Sequence, residues 1–158
     1  MSFEIREITT EDRKKVLEII EVEWGIPIIV KDRTLNPENL PGFIVYDGEN
    51  IAGLVTYNLE NNECEIVTMN SFRRNMGIGT ALIKKVKNTA KAEGCIRLWL
   101  ITTNDNVDAI RFYQTRKFRM TAIHRDAIDK SRKIKPRIPD TGCYGIPLHD
   151  EVEMEILL

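Results

Sequence analysis

No run of this chain stays apolar for the ~18 residues that a membrane-crossing helix needs. Its first residues, Met1-Ser2-Phe3-Glu4-Ile5-Arg6-Glu7, carry charge where a secretory leader would be apolar. Net charge is nearly absent, −1 over 158 residues, so no global basic field draws the chain to nucleic acid. Cysteine is scarce. Cys64, Cys95 and Cys143 are odd in number and widely spaced. That pattern supplies neither a disulfide framework nor metal-ligand spacing, so no metal is implied and the thiols read as reduced. There is no G-x-x-x-x-G-K-[ST] loop, and the third glycine of a dinucleotide fingerprint is missing. Repeats and low-complexity tracts are missing as well. The expectation is a cytoplasmic protein without a membrane anchor.

What is present is an ordinary globular composition, 42% hydrophobic and 30% charged. The length suits one domain over residues 1–158, large enough to bury a full core. Phe3 to Ile8 alternates as a half-buried strand does. Thr9 and Thr10 can cap a helix whose buried face takes Val16, Leu17, Ile19, Ile20 and Trp24. Gly25-Ile26-Pro27 breaks it, and residues 28–41 read as extended or loop with room for a short helix. Strands at 43–46, 51–59 and 63–70, joined by short turns, predict an antiparallel meander. A helix from about Gly77 to Glu93 buries Ile78, Leu82, Val86 and Ala90, and Gly94 ends it. Ile96 to Ile101 is nearly all apolar and reads as a central strand. A helix from Asn106 to about Arg116 and strands at 118–124 and 151–158 complete the chain.

The most informative stretch is Arg73-Arg74-Asn75-Met76-Gly77-Ile78-Gly79-Thr80. It turns from a strand into a helix, and the first N–H groups of a helix make an anion site from backbone alone. Gly77 and Gly79 keep Cβ atoms out of the way, and Arg73 and Arg74 can clamp an anion. The spacing Arg74-x-x-Gly77-x-Gly79 resembles the acetyl-CoA loop of the GNAT superfamily of N-acetyltransferases. A second segment, from Thr103 to Phe118, is similar to that family's N-x-x-A-x-x-F-Y-x-x-x-G-F signature at Asn106, Ala109, Phe112, Tyr113 and Phe118. The family's glycine before the last Phe, which ends a helix as the residue cheapest in the left-handed region, is Lys117 here; a lysine there takes a different cap or strains at roughly 1 kcal/mol. The resemblance covers roughly residues 1–124.

The resemblance implies an α/β (α+β) fold with a mixed, mostly antiparallel sheet of six to seven strands flanked by helices. It implies an acetyl-CoA-dependent N-acetyltransferase, with acetyl-CoA as cosubstrate and a small-molecule or peptide amine as acceptor. Cofactor contacts would fall on Met69, Arg74, Asn75, Met76, Gly77, Ile78, Gly79, Thr80 and Asn106. The Met69 amide would meet the acetyl carbonyl; a β-bulge ahead of the loop is the competing account. Tyr113 would protonate the leaving thiolate, or else pack in the core. Asn106 would hold pantetheine amides, cap its helix, or do both. Glu65 and Glu63, two apart on one strand, share a face and are the candidate general bases, with His124 behind them. Glu21, Glu23, Trp24 and the 28–41 segment would wall the acceptor site. The basic 125–137 segment reads as a solvated helix face, an acidic-acceptor selector or a partner surface, and the 138–147 loop as a cover. Neither nucleic acid nor membrane is expected as a partner, and a homodimer stays open. A non-catalytic acyl-CoA sensor is the alternative function.

Overall fold

The computed structural model describes residues 3–158. Seven strands share one mostly antiparallel sheet flanked by helices, and two more form a small hairpin. The chain divides into two compact units. One runs to Ile28, resumes over Asn36–Leu98 and includes Leu158; the other comprises Ile29–Leu35 and Trp99–Leu157.

In the first unit β1 (Glu4–Glu7), β4 (Gly42–Asp47), β5 (Asn50–Glu60) and β6 (Glu63–Ser71) form the expected meander. Apolar side chains on both faces of its middle strands build the core: Ile44, Val45, Leu54 and Val55 are fully buried. Helix α1 (Arg13–Glu23) buries Val16 and Ile20, while Leu17 and Ile19 are only half-buried and Trp24 is exposed. A 3-10 turn at Thr10–Asp12 leads into it. Asp12 organises that turn. Its carboxylate accepts from the Thr9 N–H at 2.8 Å, from both Arg6 guanidinium nitrogens at 2.6 and 2.8 Å, and from the Tyr46 hydroxyl at 2.9 Å. Helix α2 (Ile78–Ala92) buries the predicted stripe of Ile78, Leu82, Val86 and Ala90. Gly94, at φ +77, ends it.

Strand β7 (Arg97–Thr103) begins in this unit beside β6. The Ile96 N–H donates to the Asn62 carbonyl at 2.9 Å, and Arg97 pairs with Glu63 at 3.0 Å. The apolar run predicts burial on both faces. Instead Leu98 and Leu100 are buried, Trp99 and Ile101 are half-buried, and Ile96 precedes the strand, 63% exposed.

In the second unit β8 (Arg119–His124) pairs antiparallel with β9 (Glu151–Leu157), and α3 (Val107–Thr115) and α4 (Ala127–Ile134) join them. Residues 28–41, read as extended or loop with room for a short helix, hold a 3-10 turn at Pro37–Asn39 and the hairpin of β2 (Ile28–Val30) and β3 (Arg33–Leu35). Its turn is made by Lys31 and Asp32, both left-handed at φ 51 and 62. A lysine there carries no turn signature, which is why the sequence hid the hairpin.

Candidate active site

The glycine loop leaves β6 at Ser71 and enters α2 at Ile78. Gly77 sits at φ 73, ψ 11, and no side chain caps the helix. An added Cβ at Gly77 would meet nothing within 4 Å, so the glycine answers a backbone need, the left-handed N-cap, and leaves open space in front of the helix. Asn75 supplies a second left-handed residue at φ 58, which asparagine tolerates well. Arg74, Asn75, Met76, Gly77 and Thr80 are exposed, while Ile78 and Gly79 are buried. The two arginines part company. Arg73 lies 3.8 Å from Asp47 and donates to the Phe72 carbonyl at 3.2 Å; Arg74 is the exposed one. The expected double clamp is thus reduced to Arg74. An uncapped helix start, open space at Gly77 and one exposed arginine fit an anionic group.

Strand β6 carries a bulge. Thr56 of β5 pairs with Thr68 and Tyr57 pairs with Ile66, leaving Val67 as the extra residue. Strict alternation from Glu65 would put Val67 and Met69 on its face. Cross-strand partners share a face, so the bulge puts Thr68 and Asn70 there and turns Met69 to the other side, opposite Val55. Glu63 and Glu65 both precede the bulge and keep a common face. They differ in surroundings: Glu63 is half-buried and ion-paired with Arg97, whereas Glu65 is 3% exposed. The Thr56 and Thr68 hydroxyls meet on the same face at 2.6 Å. Asn70, further along, accepts from the Trp24 indole N–H at 2.8 Å. Glu21 accepts from the Ile26 N–H at 3.0 Å, and Glu23 is exposed.

The second unit carries the other motif. Asn106 caps α3, its side-chain oxygen accepting from the Ala109 N–H at 3.3 Å. Tyr113 is buried, its ring edge-on to Phe112 and to Phe118, each at 5.3 Å between centroids. Burial pushes its phenol above the ordinary value, against the opposing charge of Arg116. His124 approaches Glu153 at 2.9 Å, and the Lys31 ammonium approaches the same carboxylate oxygen at 3.4 Å. Arg132, in the basic segment, is not a solvated cation: it donates to the carbonyls of Ile138, Pro139 and Leu148.

The profile of the Acetyltransferase (GNAT) family matches residues 4–118. The chain belongs to this family. It is 40% identical over 131 residues, 82% of each chain, to the uncharacterized protein YdhI of Bacillus subtilis (strain 168). Among solved structures, an IAA acetyltransferase from Bacillus cereus ATCC 14579 superposes with a TM-score of 0.76, at 21% identity over 99% of this chain and all of that one. A Bacillus subtilis acetyltransferase in complex with CoA superposes with a TM-score of 0.69, at 20% identity over 99% and 97% of the two chains. This GNAT member is an acyltransferase of the acetyl-CoA-dependent kind. The bulge ahead of the loop, the competing account of Met69, is present at Val67. One feature was hidden in the sequence, the Lys31 turn, which lacks the usual residues. Another, Lys117 in the left-handed region at φ 77, was signalled by the missing glycine.

Proposed function

We propose that this protein transfers an acetyl group from acetyl-CoA to a primary amine by direct attack in a ternary complex. The left-handed Gly77 opening an uncapped α2 carries the reading, because it suits a pyrophosphate held by backbone N–H groups. Arg74, Asn75, Met76, Gly77, Ile78, Gly79 and Thr80 form that cradle, and Asn106 takes the pantetheine amides with its side-chain NH2 while its oxygen caps α3.

The amine nitrogen attacks the thioester carbonyl carbon. A C–N bond forms, the carbonyl oxygen becomes an oxyanion, and collapse breaks the C–S bond. The Met69 backbone N–H stabilises the oxyanion. Tyr113 gives its phenolic proton to the departing thiolate. With reference values of ~10 for the phenol and ~8.5 for the thiol, that transfer is uphill in water by about 2 kcal/mol. The amine proton leaves to Glu65, directly or through water. Glu63, on the same face and paired with Arg97 at 3.0 Å, is the second candidate. Glu21, Glu23 and Trp24 wall the acceptor, which favours a cationic amine, small or peptidic. The whole chain acts as one catalytic domain in the cytoplasm.

The test pairs acetyl-CoA calorimetry with thiol release across a panel of amines, on the parent and on Gly77→Val. A Cβ at Gly77 meets no protein atom within 4 Å, so lost affinity would report either the strained left-handed backbone or a side chain standing where the anion lies, and both count for the loop as the anion site. Binding with amine-stimulated release supports the enzyme and names its acceptor class. Binding without release on any amine would favour a sensor, and no binding by the parent would overturn the reading.

A further inference from the structure

Residues 138–150 form a strap tied to the turn between β7 and α3. Asp105 lies in that turn and is 6% exposed. Its carboxylate accepts from the Cys143 backbone N–H at 2.8 Å and from the Thr103 hydroxyl. A Cβ on Gly142 would lie 2.0 Å from Asp105 Oδ2, so a glycine there lets the strap reach the carboxylate. Asn104 adds a second tie. Its side-chain NH2 donates to the Pro147 carbonyl at 2.8 Å, and its oxygen accepts from the His149 and Asp150 N–H groups, each at 3.0 Å. Tyr144 adds a third. Its hydroxyl stands 2.7 and 2.9 Å from the two Asp108 carboxylate oxygens. It does so from a left-handed backbone, φ 58, that bulky residues rarely adopt. The strap folds back on itself through Gly142 N–H to Ile146 carbonyl and Leu148 N–H to Asp140 carbonyl, both 2.9 Å. Arg132 pins both its ends.

These ties fall on residues 104, 105 and 108, and they bracket Asn106. We infer that Asp105 is a positioning residue for acetyl-CoA: by locking the strap to the β7–α3 turn it holds Asn106 in the orientation that meets the pantetheine. The inference rests on the assignment of Asn106 above. The Cys143 N–H can only donate, so the atom facing it must accept. An asparagine keeps that bond only by turning its NH2 to the Thr103 oxygen, which reverses the Thr103 bond and replaces two charge-assisted bonds by weaker neutral ones.

The experiment is steady-state kinetics and acetyl-CoA calorimetry on Asp105→Asn in the full chain, below its melting temperature. The KM and Kd for acetyl-CoA rise about tenfold, since a misplacement of about an ångström is costly, while kcat at saturation stays within about twofold. Tyr144→Phe, which removes only the outer tie, shifts KM in the same direction by about threefold. A folded Asp105→Asn with unchanged KM and Kd overturns the proposal, and so does a loss confined to kcat. Should Asp105→Asn fail to fold, Tyr144→Phe decides by the same split, because its exposed side chain leaves the buried junction whole. Failure of the parent itself to bind acetyl-CoA strikes down the assignment of Asn106, and the proposal with it.

Discussion

The Phe118 N–H donates to the Tyr113 carbonyl at 3.1 Å, and the two rings meet edge-on at 5.3 Å. Together with the Lys117 N–H on the Gln114 carbonyl, also 3.1 Å, this is a complete Schellman cap with its hydrophobic contact. The residue that must be left-handed is Lys117, at φ 77, where glycine would sit without strain. Lys117→Gly should therefore stabilise the protein by about 1 kcal/mol, raising Tm by roughly 2–4 °C for a chain of this size. Thermal unfolding of the two proteins checks it. An unchanged or lower Tm would mean that the lysine side chain compensates for its own backbone.

Gly53 faces the start of α2. A Cβ there would lie 2.5 Å from Ile78 Cγ2 and 3.3 Å from Leu82 Cδ1. Ile78 is also the first residue after the glycine loop, so the fit between β5 and α2 sets where the loop ends. Gly53→Ala should cost about 1–3 kcal/mol by overpacking and weaken acetyl-CoA binding together with stability. Urea titration and calorimetry on the same sample read both. Stability lost with affinity intact would show that the loop holds its shape without that fit.

Asp12 predicts a pH dependence. The Arg6 guanidinium holds its carboxyl far below the ordinary range, with help from the Thr9 N–H and the Tyr46 hydroxyl and against the cost of burial. A carboxyl depressed in the folded state stabilises fully above its unfolded value, about 4. That contribution fades as pH falls below about 4 toward the folded value. Asp12→Asn should be less stable than the parent by about 1–3 kcal/mol at neutral pH. The gap should narrow steadily from about pH 4 to about pH 2, as the parent's unfolded chain takes up a proton that its folded state still refuses. Urea midpoints across that range measure it, and a constant gap would remove Asp12 from the acid response.

Helix α2 was legible because Ile78, Leu82, Val86 and Ala90 repeat at the helical period and Gly94 marks the stop. The meander was legible because its turns use Asp47-Gly48 and Asn61-Asn62. The site was legible only as motifs. Their residue spacing named the loop and Tyr113, yet spacing does not encode register. The bulge at Val67 depends on how β5 and β6 pair, and it decides which face Met69 takes. The β2–β3 hairpin and the strap depend on distant partners, Glu151 for the Lys31 N–H and Asp105 for the Cys143 N–H. Such long-range bonds leave no periodic trace, so Asp105 passed as one polar residue in a turn.

Tyr113→Phe separates chemistry from packing. The substitution keeps the ring that contacts Phe112 and Phe118 and removes only the hydroxyl, so the fold and the cap at Lys117 should persist. If the phenol protonates the thiolate, kcat falls by roughly 10²–10⁴-fold while acetyl-CoA affinity is kept. A poorer leaving group should suffer more from the loss than a better one, because it depends more on the proton. Replacing acetyl-CoA with thioesters of lower thiol pKa would then recover part of the rate in the variant and little in the parent. A kcat equal to the parent's on acetyl-CoA would return Tyr113 to the core and leave solvent water to protonate the thiolate.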